Sequence, residues 1–158
     1  IMPIPTLAKN QALCLHVFVP LFTALAVPAS LGTAAELGGI VVAEAAPIAL
    51  SHSELAVIEA TNQARMRHGL APLSIDTRLM HSARGHASSM AARNSLVHTS
   101  AMVAENIAMG HPSGNEAVGG WMTSPGHRQN LLDPRHTRIG VALAHSASGT
   151  PYWCQQFR

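Results

Sequence analysis

The sequence divides near residue 50 into an N-terminal stretch that is almost free of charge and a C-terminal part in which charged and apolar residues are interleaved. Apolar residues recur at helical and strand spacing in the second part, which is therefore the part that can bury a core. A chain of 158 residues supports one such core by default. We expect a single folded domain over residues 53–158.

An export signal is predicted over residues 1–35. Lys9 precedes the apolar segment 11–27, and small residues follow it, which is the order of charge, apolar core and cleavage site in secretory signals. A membrane-spanning helix is the alternative, but Pro20 and Pro28 interrupt a run that falls short of the roughly 20 apolar residues a span needs. The pattern therefore favours a cleaved signal.

The export signal predicts a secreted or periplasmic protein, and we expect no transmembrane span after its removal. We expect cleavage between residues 29 and 45 and a linker over 36–52, where Ala, Gly and Pro recur without a period. Cleavage there leaves Cys154 as the single cysteine, so the domain has to fold without an internal disulfide. Cys154 lies in an alternating segment and is predicted to be a small, half-buried residue.

The charge pattern does not indicate a strongly charged partner. Beyond Lys9, the basic residues are nine arginines spread from Arg65 to Arg158 without a cluster, and eight carboxylates balance them. Nucleic-acid binding needs a basic patch or stripe, so we expect no nucleic-acid partner. We also expect a monomer.

Helix signals follow one another from residue 53 onward. Ser53 is a candidate N-cap for a first helix that stops before Gly69, and Asp76 or Thr77 can cap a second helix that ends at Asn94. A third helix is predicted after Asn115. Its two adjacent glycines, Gly119 and Gly120, each cost about 1 kcal/mol of helix propensity relative to Ala, and we expect close packing of that face to compensate. A further helical turn is predicted over residues 127–132.

The clearest strand signal lies at the end of the chain. Residues 138–144 and 151–157 are rich in apolar and aromatic residues and flank a Gly-containing loop over 146–150. Two such segments joined by a short loop predict a β-hairpin. Trp121 and Trp153 are expected to anchor the core, because the mature chain has few other aromatic residues.

An ordered set of motifs resembles the bacterial, SCP-like branch of the CAP superfamily, whose relatives include cysteine-rich secretory proteins, venom antigens and plant pathogenesis-related proteins. The resemblance spans residues 53–158, and a set in family order is more specific than any lone motif. The matching positions are Asn62 and Arg65, Ala83–Ala91, His98-Thr99-Ser100, Glu105-Asn106-Ile107-Ala108, Trp121–Asn130 with the following Leu131–Pro134, Ile139-Gly140-Val141 and Tyr152–Phe157.

The resemblance implies an α+β fold, a three-layer α-β-α sandwich with a central, mostly antiparallel sheet. It also implies a cleft with two histidines and two acidic residues that binds a divalent metal in some relatives. Carried over by motif, the histidines are His98 and His127 and the first acid is Glu105. Thr99, Asn106 and Ser124 are the expected cleft neighbours.

The second acidic position departs from the family pattern. Many eukaryotic relatives carry Trp-x-x-Glu in the third helix, whereas here Ser124 follows Trp121-Met122-Thr123. The expected site therefore holds one carboxylate. The usual Gly before the Glu-Asn pair is Ala104 and the usual Thr after the closing Trp is Cys154. These departures weaken an inherited activity more than an inherited fold.

Two interpretations of the cleft remain open at this point. Two neutral imidazoles and a carboxylate form a workable zinc site, so His98, His127 and Glu105 are candidate ligands for a divalent metal such as zinc, the one cofactor considered. Alternatively, the histidines hydrogen-bond to Glu105 and to loop backbone and pin the cleft walls. The other histidines, His86 among them, are interpreted as surface or packing residues.

The candidate catalytic residues are Glu105, as a general base, and His127. One carboxylate without an assigned nucleophile makes a weak case for an enzyme. Ser124 lacks an identifiable orienting acid and oxyanion hole and is interpreted as a turn or helix-end residue. The leading hypothesis is a secreted, non-catalytic binding module for an unknown envelope or extracellular ligand. A metal-dependent hydrolase or peptidase is the runner-up, and sterol or fatty-acid binding, known among relatives, is a third class.

Overall fold

The computed structural model describes residues 48–158, so the predicted export signal and its cleavage site lie outside the described residues. Helices and strands alternate along this part of the chain. In order they are α1 (His52–Arg67), β1 (Ser74–Ile75), α2 (Thr77–Arg93), β2 (Ala104–Met109), α3 (Gly114–Thr123), α4 (Pro125–Leu131), β3 (Arg138–His145) and β4 (Pro151–Phe157). No helix within residues 48–158 is both long and apolar enough to cross a membrane.

The four strands form one sheet in the order β1-β3-β4-β2. β4 pairs antiparallel with both β3 and β2, and the short β1 pairs parallel with β3. Helix α2 packs on one face, and α1, α3 and α4 pack on the other. This architecture confirms the predicted α+β sandwich with a mostly antiparallel sheet, and the β3–β4 hairpin has the predicted bounds to within one residue.

The two faces of the sheet are packed differently. Toward α2 the residues are mostly small: Ala83 and Ala87 are fully buried against Ala142 and Cys154. Toward the other helices they are large, and both Trp121 and Trp153 are buried there, as predicted. Because successive strand residues point to opposite faces, one strand supplies both layers.

The predicted N-caps of α1 and α3 are each wrong by two residues. The N-cap of α1 is Ser51 and not Ser53, because the Ser51 hydroxyl accepts from the Glu54 amide while the Glu54 carboxylate accepts from the Ser51 amide. The N-cap of α3 is Ser113 and not Asn115, because its hydroxyl reaches the Glu116 amide. In both cases an earlier Ser satisfies the exposed amides of the first turn.

The last residues of the predicted linker lie against the domain. Ile48 and Leu50 pack against the core on the α1 side of the sheet. The Ala49 carbonyl accepts a hydrogen bond of 2.7 Å from Arg84, whose guanidinium also pairs with the Glu54 carboxylate. Ordered contacts with the domain therefore begin before residue 53.

The paired glycines of α3 have different surroundings. A Cβ atom on Gly120 would lie 3.1 Å from the His111 ring, so close packing accounts for this glycine. Gly119 faces open space, where an added Cβ would meet nothing within 4 Å. The expected compensation by packing therefore holds for Gly120 and is wrong for Gly119.

Arg65 is a charged residue inside the domain, with only 1% of its surface exposed. Its guanidinium donates to four backbone carbonyls: that of Ala71 after α1, those of Leu131 and Asp133 at the end of α4, and that of His136 before β3. Burial lowers the pKa of Arg65, and the nearby Asp133 carboxylate partly opposes this effect. The hydrogen bonds offset the cost of burying the charge, and they fix the end of α4 and two connecting segments, those between α1 and β1 and between α4 and β3.

Gly140 lets α2 approach the sheet closely. A Cβ atom at this position would lie 2.2 Å from the Leu79 carbonyl carbon, which belongs to the backbone and cannot rotate away. Helix α2 would have to lift from strand β3 to admit any side chain. The small residues on this face are therefore required by the spacing between helix and sheet.

We expect Gly140→Ala to reduce the free energy of unfolding by about 1–3 kcal/mol, because the added methyl group overpacks this contact. Gly85→Ala is the matched control, since Gly85 lies within α2 and an added Cβ there meets nothing within 4 Å. The control should gain up to about 1 kcal/mol from helix propensity. Urea denaturation of both variants measures the difference, and equal stabilities would contradict the close approach of α2.

Candidate functional site

The Glu105 carboxylate lies at the start of the edge strand β2 and is surrounded by donors. Its Oε1 accepts from the Thr99 amide at 2.9 Å and lies 3.0 Å from Nδ1 of His98. Its Oε2 accepts from the Gln156 side-chain amide at 3.0 Å and from the Cys154 thiol at 3.5 Å. Four groups of the protein therefore occupy both oxygens of this carboxylate.

These donors keep the carboxylate ionised. Burial opposes ionisation of Glu105, but the hydrogen bonds from Gln156, the Thr99 amide and His98, with the nearby His86 ring, outweigh it and lower the pKa of Glu105. Burial, together with the negative charge of Glu105, raises the pKa of the Cys154 thiol well above its ordinary value. At neutral pH Glu105 is a charged anchor and Cys154 a neutral thiol.

His86 is a member of this cluster that the sequence interpretation missed. Its Nε2 lies 3.7 Å from Oε2 of Glu105 and 2.9 Å from the Val97 carbonyl, so it bridges α2 and the segment that follows it. The available signal was its spacing in the second helix, three residues after Ala83 and four before Met90, which puts His86 on their apolar face, where an imidazole needs polar partners.

The Asn106 side chain lies on the opposite face of the sheet from that of Glu105. Its Nδ2 donates to the His127 carbonyl at 3.1 Å and to Oε1 of Gln155 at 3.2 Å, while its Oδ1 accepts from Asn130 at 3.0 Å. Asn130 also donates to the Glu105 carbonyl at 3.1 Å. The side chain of Asn106 therefore ties helix α4 to the edge strand.

The His127 ring lies on α4 in a separate hollow of about 310 Å³, which we call the His127 hollow. Burial lowers the pKa of His127, and the nearby His98 ring, when it is protonated, lowers it further, so the neutral imidazole is favoured. The residues lining this hollow are Leu96, Ile107, Ala108, Met109, His111, Gly120, Trp121, Ser124 and His127.

The structure therefore brings together only part of the predicted site. Glu105 contacts His98 and the Thr99 amide, but the second imidazole beside it is that of His86. The backbone carbonyl of His127 accepts from Asn106, and the His127 ring lies near enough to His98 for a charge on His98 to lower its pKa. Glu105 and Asn106 have different partners because they are successive residues of β2 and point to opposite faces.

Ser124 ends α3 and begins α4, as predicted for a helix-end residue. Its backbone N–H donates to the Trp121 carbonyl at 3.2 Å, and its side chain makes no capping hydrogen bond. A catalytic serine would need its hydroxyl beside a base that a third group orients. The described hydrogen bonds supply no such chain for Ser124.

The side chains of residues 48–158 do not fit a three-ligand metal centre built on Glu105. Within that range no group of three or more His, Cys, Asp or Glu residues is placed to hold a metal ion. Both Glu105 oxygens would have to give up protein donors to become ligands. The assignment of His98, His127 and Glu105 as metal ligands stays a prediction. The presence of the two imidazoles is what still supports it.

Comparison with protein families and curated sequences gives consistent matches. The model of the cysteine-rich secretory protein family, CAP, matches residues 58–157. YkwD of Bacillus subtilis is 38% identical over 129 residues, which covers 71% of this chain and 49% of YkwD. YlbC, a membrane protein of Bacillus subtilis, is 32% identical over 122 residues, which covers 66% of this chain and 34% of YlbC. The chain thus spans about half of one relative and a third of the other.

Solved structures with the same fold include bacterial proteins. An extracellular protein of Bacillus anthracis that contains an SCP domain is similar with a TM-score of 0.57 and 26% identity, over 71% of this chain and 45% of that one. An outer surface protein of Borrelia burgdorferi is similar with a TM-score of 0.59 and 20% identity, over 64% of this chain and 87% of that one. The second likeness supports the fold alone.

We expect Glu105→Gln to lower the free energy of unfolding by about 1–3 kcal/mol at neutral pH, because a neutral amide leaves at least one of the buried donors without an acceptor. The lowered pKa means that the carboxylate stabilises the fold above its ordinary pKa of 4.5, and that this contribution is lost as the pH falls through the folded value. The difference between wild type and variant should therefore shrink below about pH 4.

Denaturation curves across this pH range test the expectation. Glu59→Gln is the control, because Glu59 is exposed on α1 and its replacement should change stability little at any pH. A Glu105→Gln variant as stable as this control at pH 7 would show that the carboxylate is not an anchor.

Proposed function

The chain belongs to the cysteine-rich secretory protein (CAP) family, and from this premise we propose that it is a non-catalytic binding module acting outside the cytoplasmic membrane. The observation that carries the proposal is the full commitment of Glu105 to protein donors. A general base must be able to take a proton from a substrate, and a metal ligand must offer a free lone pair. Glu105 has neither property in this arrangement.

The surroundings of the imidazoles support binding rather than hydrolysis. In residues 48–158 Glu105 is the single carboxylate paired with His98 and His86, so no second acid is available there. His127 has a lowered pKa and lines a hollow without a carboxylate. Acid–base hydrolysis requires two groups whose protonation states differ and which both reach the substrate.

The His127 hollow has the mixed character of a recognition surface. Leu96 and Met109 are 42% and 48% exposed at its rim, while the imidazoles of His111 and His127 also line it. Trp121 contributes to the lining from within the core. Apolar rim residues around a few polar groups suit the capture of a partner's side chain or a glycan ring.

The proposed location rests on two observations. The sequence predicts an export signal over residues 1–35, and the similar Bacillus anthracis protein is an extracellular one. A partner in the cell envelope or outside the cell follows from such a location. The domain is proposed to act there as a recognition unit within a secreted or periplasmic chain.

Binding to purified cell walls of Bacillus subtilis, the organism of the 38% identical relative, tests the recognition role. We expect saturable co-sedimentation that Met109→Ser together with His127→Ala weakens by about tenfold, the loss of roughly 1.4 kcal/mol. Met66→Ser is the control, because Met66 is 56% exposed on the distant surface of α1. Equal loss in the control, or no saturable binding, would contradict the proposal.

Catalysis and metal dependence are tested on the same purified domain. We expect no turnover of casein or of bacterial peptidoglycan, with or without added zinc, and less than one equivalent of metal after dialysis. A His98→Ala/His127→Ala variant is analysed in parallel. Stoichiometric zinc that this variant loses would establish the metal site, and zinc-dependent turnover would replace the binding module with a hydrolase.

A further inference from the structure

A second hollow of about 380 Å³ lies between α2 and the segment that follows it, and its lining shares no residue with that of the His127 hollow. We call it the α2 pocket. Its polar lining comes from the last two turns of α2 and from the irregular segment at residues 95–100. The residues that carry the argument are His86, Ser89, Arg93, Ser95, His98 and Thr99.

The Arg93 guanidinium contributes a positive charge to the α2 pocket. Among residues 48–158 Arg93 has no carboxylate partner, and its contact is a 2.5 Å hydrogen bond to the Ser89 hydroxyl. None of the residues that line the pocket within this range is acidic. Glu105, the acid bonded to His98 and Thr99, is buried and already receives four donors.

The hydroxyl groups of the pocket are arranged as donors. The Ser89 oxygen accepts from Arg93, and the Thr99 oxygen accepts from the Ala101 amide at 3.2 Å. Within the described residues neither hydroxyl donates its own proton, and the half-buried Ser95 hydroxyl has no partner. A guanidinium and three hydroxyl protons in one hollow call for a ligand with several acceptor oxygens.

His98 adds one acceptor to this set of donors. Its Nδ1 lies 3.0 Å from the Glu105 carboxylate, which can only accept, so Nδ1 carries the proton of the neutral ring. The remaining nitrogen, Nε2, then offers a lone pair from an imidazole whose side chain is 60% exposed. A ligand that fills the pocket therefore needs a hydroxyl donor as well as anionic oxygens.

We propose that the α2 pocket binds a phosphorylated sugar or polyol. The phosphate group pairs with Arg93 and accepts from the Ser89, Ser95 and Thr99 hydroxyls, and a ligand hydroxyl donates to Nε2 of His98. Phosphate fits better than carboxylate because its oxygens point in three directions, whereas a carboxylate offers two oxygens in one plane. The volume of about 380 Å³ leaves room for a polyol or sugar beside the phosphate.

This inference goes beyond the proposed function and rests on the α2 pocket alone. The two can fail separately, because the wall-binding test changes Met109 and His127 in the other hollow, and neither residue lines the α2 pocket. Loss of one binding activity without the other would identify which hollow is responsible.

Isothermal titration of the domain with glucose 6-phosphate and with glycerol 3-phosphate tests the proposal. We expect saturable binding that Arg93→Gln weakens by about tenfold or more, since a charged hydrogen bond is lost. Arg78→Gln is the matched control: Arg78 is exposed on the same helix, lies outside the pocket lining, and its replacement should leave affinity unchanged. Thermal unfolding confirms that each variant is folded.

Three further titrations separate the parts of the ligand. Glucose should not bind, glucuronate should bind at least about tenfold more weakly than glucose 6-phosphate, and inorganic phosphate should also bind more weakly. His98→Asn should weaken glucose 6-phosphate but not inorganic phosphate, because His98 contacts the hydroxyl.

The proposal is overturned if neither phosphate ester binds up to about 10 mM. It is also overturned if the two arginine variants lose affinity equally. Glucuronate binding as tightly as glucose 6-phosphate would replace the phosphate with a carboxylate. Inorganic phosphate binding as tightly as the esters would remove the role of the polyol.

Discussion

The edge position of strand β2 is the constraint on which both sides of the candidate site depend. In the part of the chain that the structure describes, β2 pairs only with β4, and strand geometry sends Glu105 to the α2 face and Asn106 to the α4 face. Each side chain then fastens a different segment, the loop at His98-Thr99 on one face and the helix that carries His127 on the other. Two adjacent residues of β2 thus hold the His98-Thr99 loop on one face of the sheet and helix α4 on the other.

Hydrogen bonds from buried polar side chains hold the loops of this domain in place, a role that disulfides have in many small secreted proteins. Cys154, the one cysteine in the described part of the chain, is free and buried. Arg65 instead joins two connecting segments and the end of α4 through four carbonyls, and Asn62 pairs with both backbone groups of Leu73 at 2.8 and 3.1 Å. These hydrogen bonds are directional, so they position the loops as well as stabilise them.

The small number of acidic groups near the imidazoles also bears on the proposed function. Within residues 48–158 Glu105 is the single carboxylate paired with His98 and His86, and its hydrogen bonds give it a structural role. The hydrogen bond to Glu105 orients the ring of His98, whose side chain is exposed. No acidic side chain lines the α2 pocket in the described residues. With the acid in a structural role, the His127 hollow and the α2 pocket are the two surfaces that we propose for recognition.

The sequence by itself determined the local elements: the ends of α2, the hairpin of β3 and β4, and the burial of both tryptophans followed from caps, alternation and composition. It also indicated the pairing of His98 with Glu105 through the family resemblance. Two-residue β1 was too short for a periodic signal. The tertiary structure alone decided that His86 and not His127 stands beside Glu105, and that Arg93 faces a pocket without an acid. Periodicity reports which face a residue occupies along its own element, whereas contacts between faces depend on how separate elements pack.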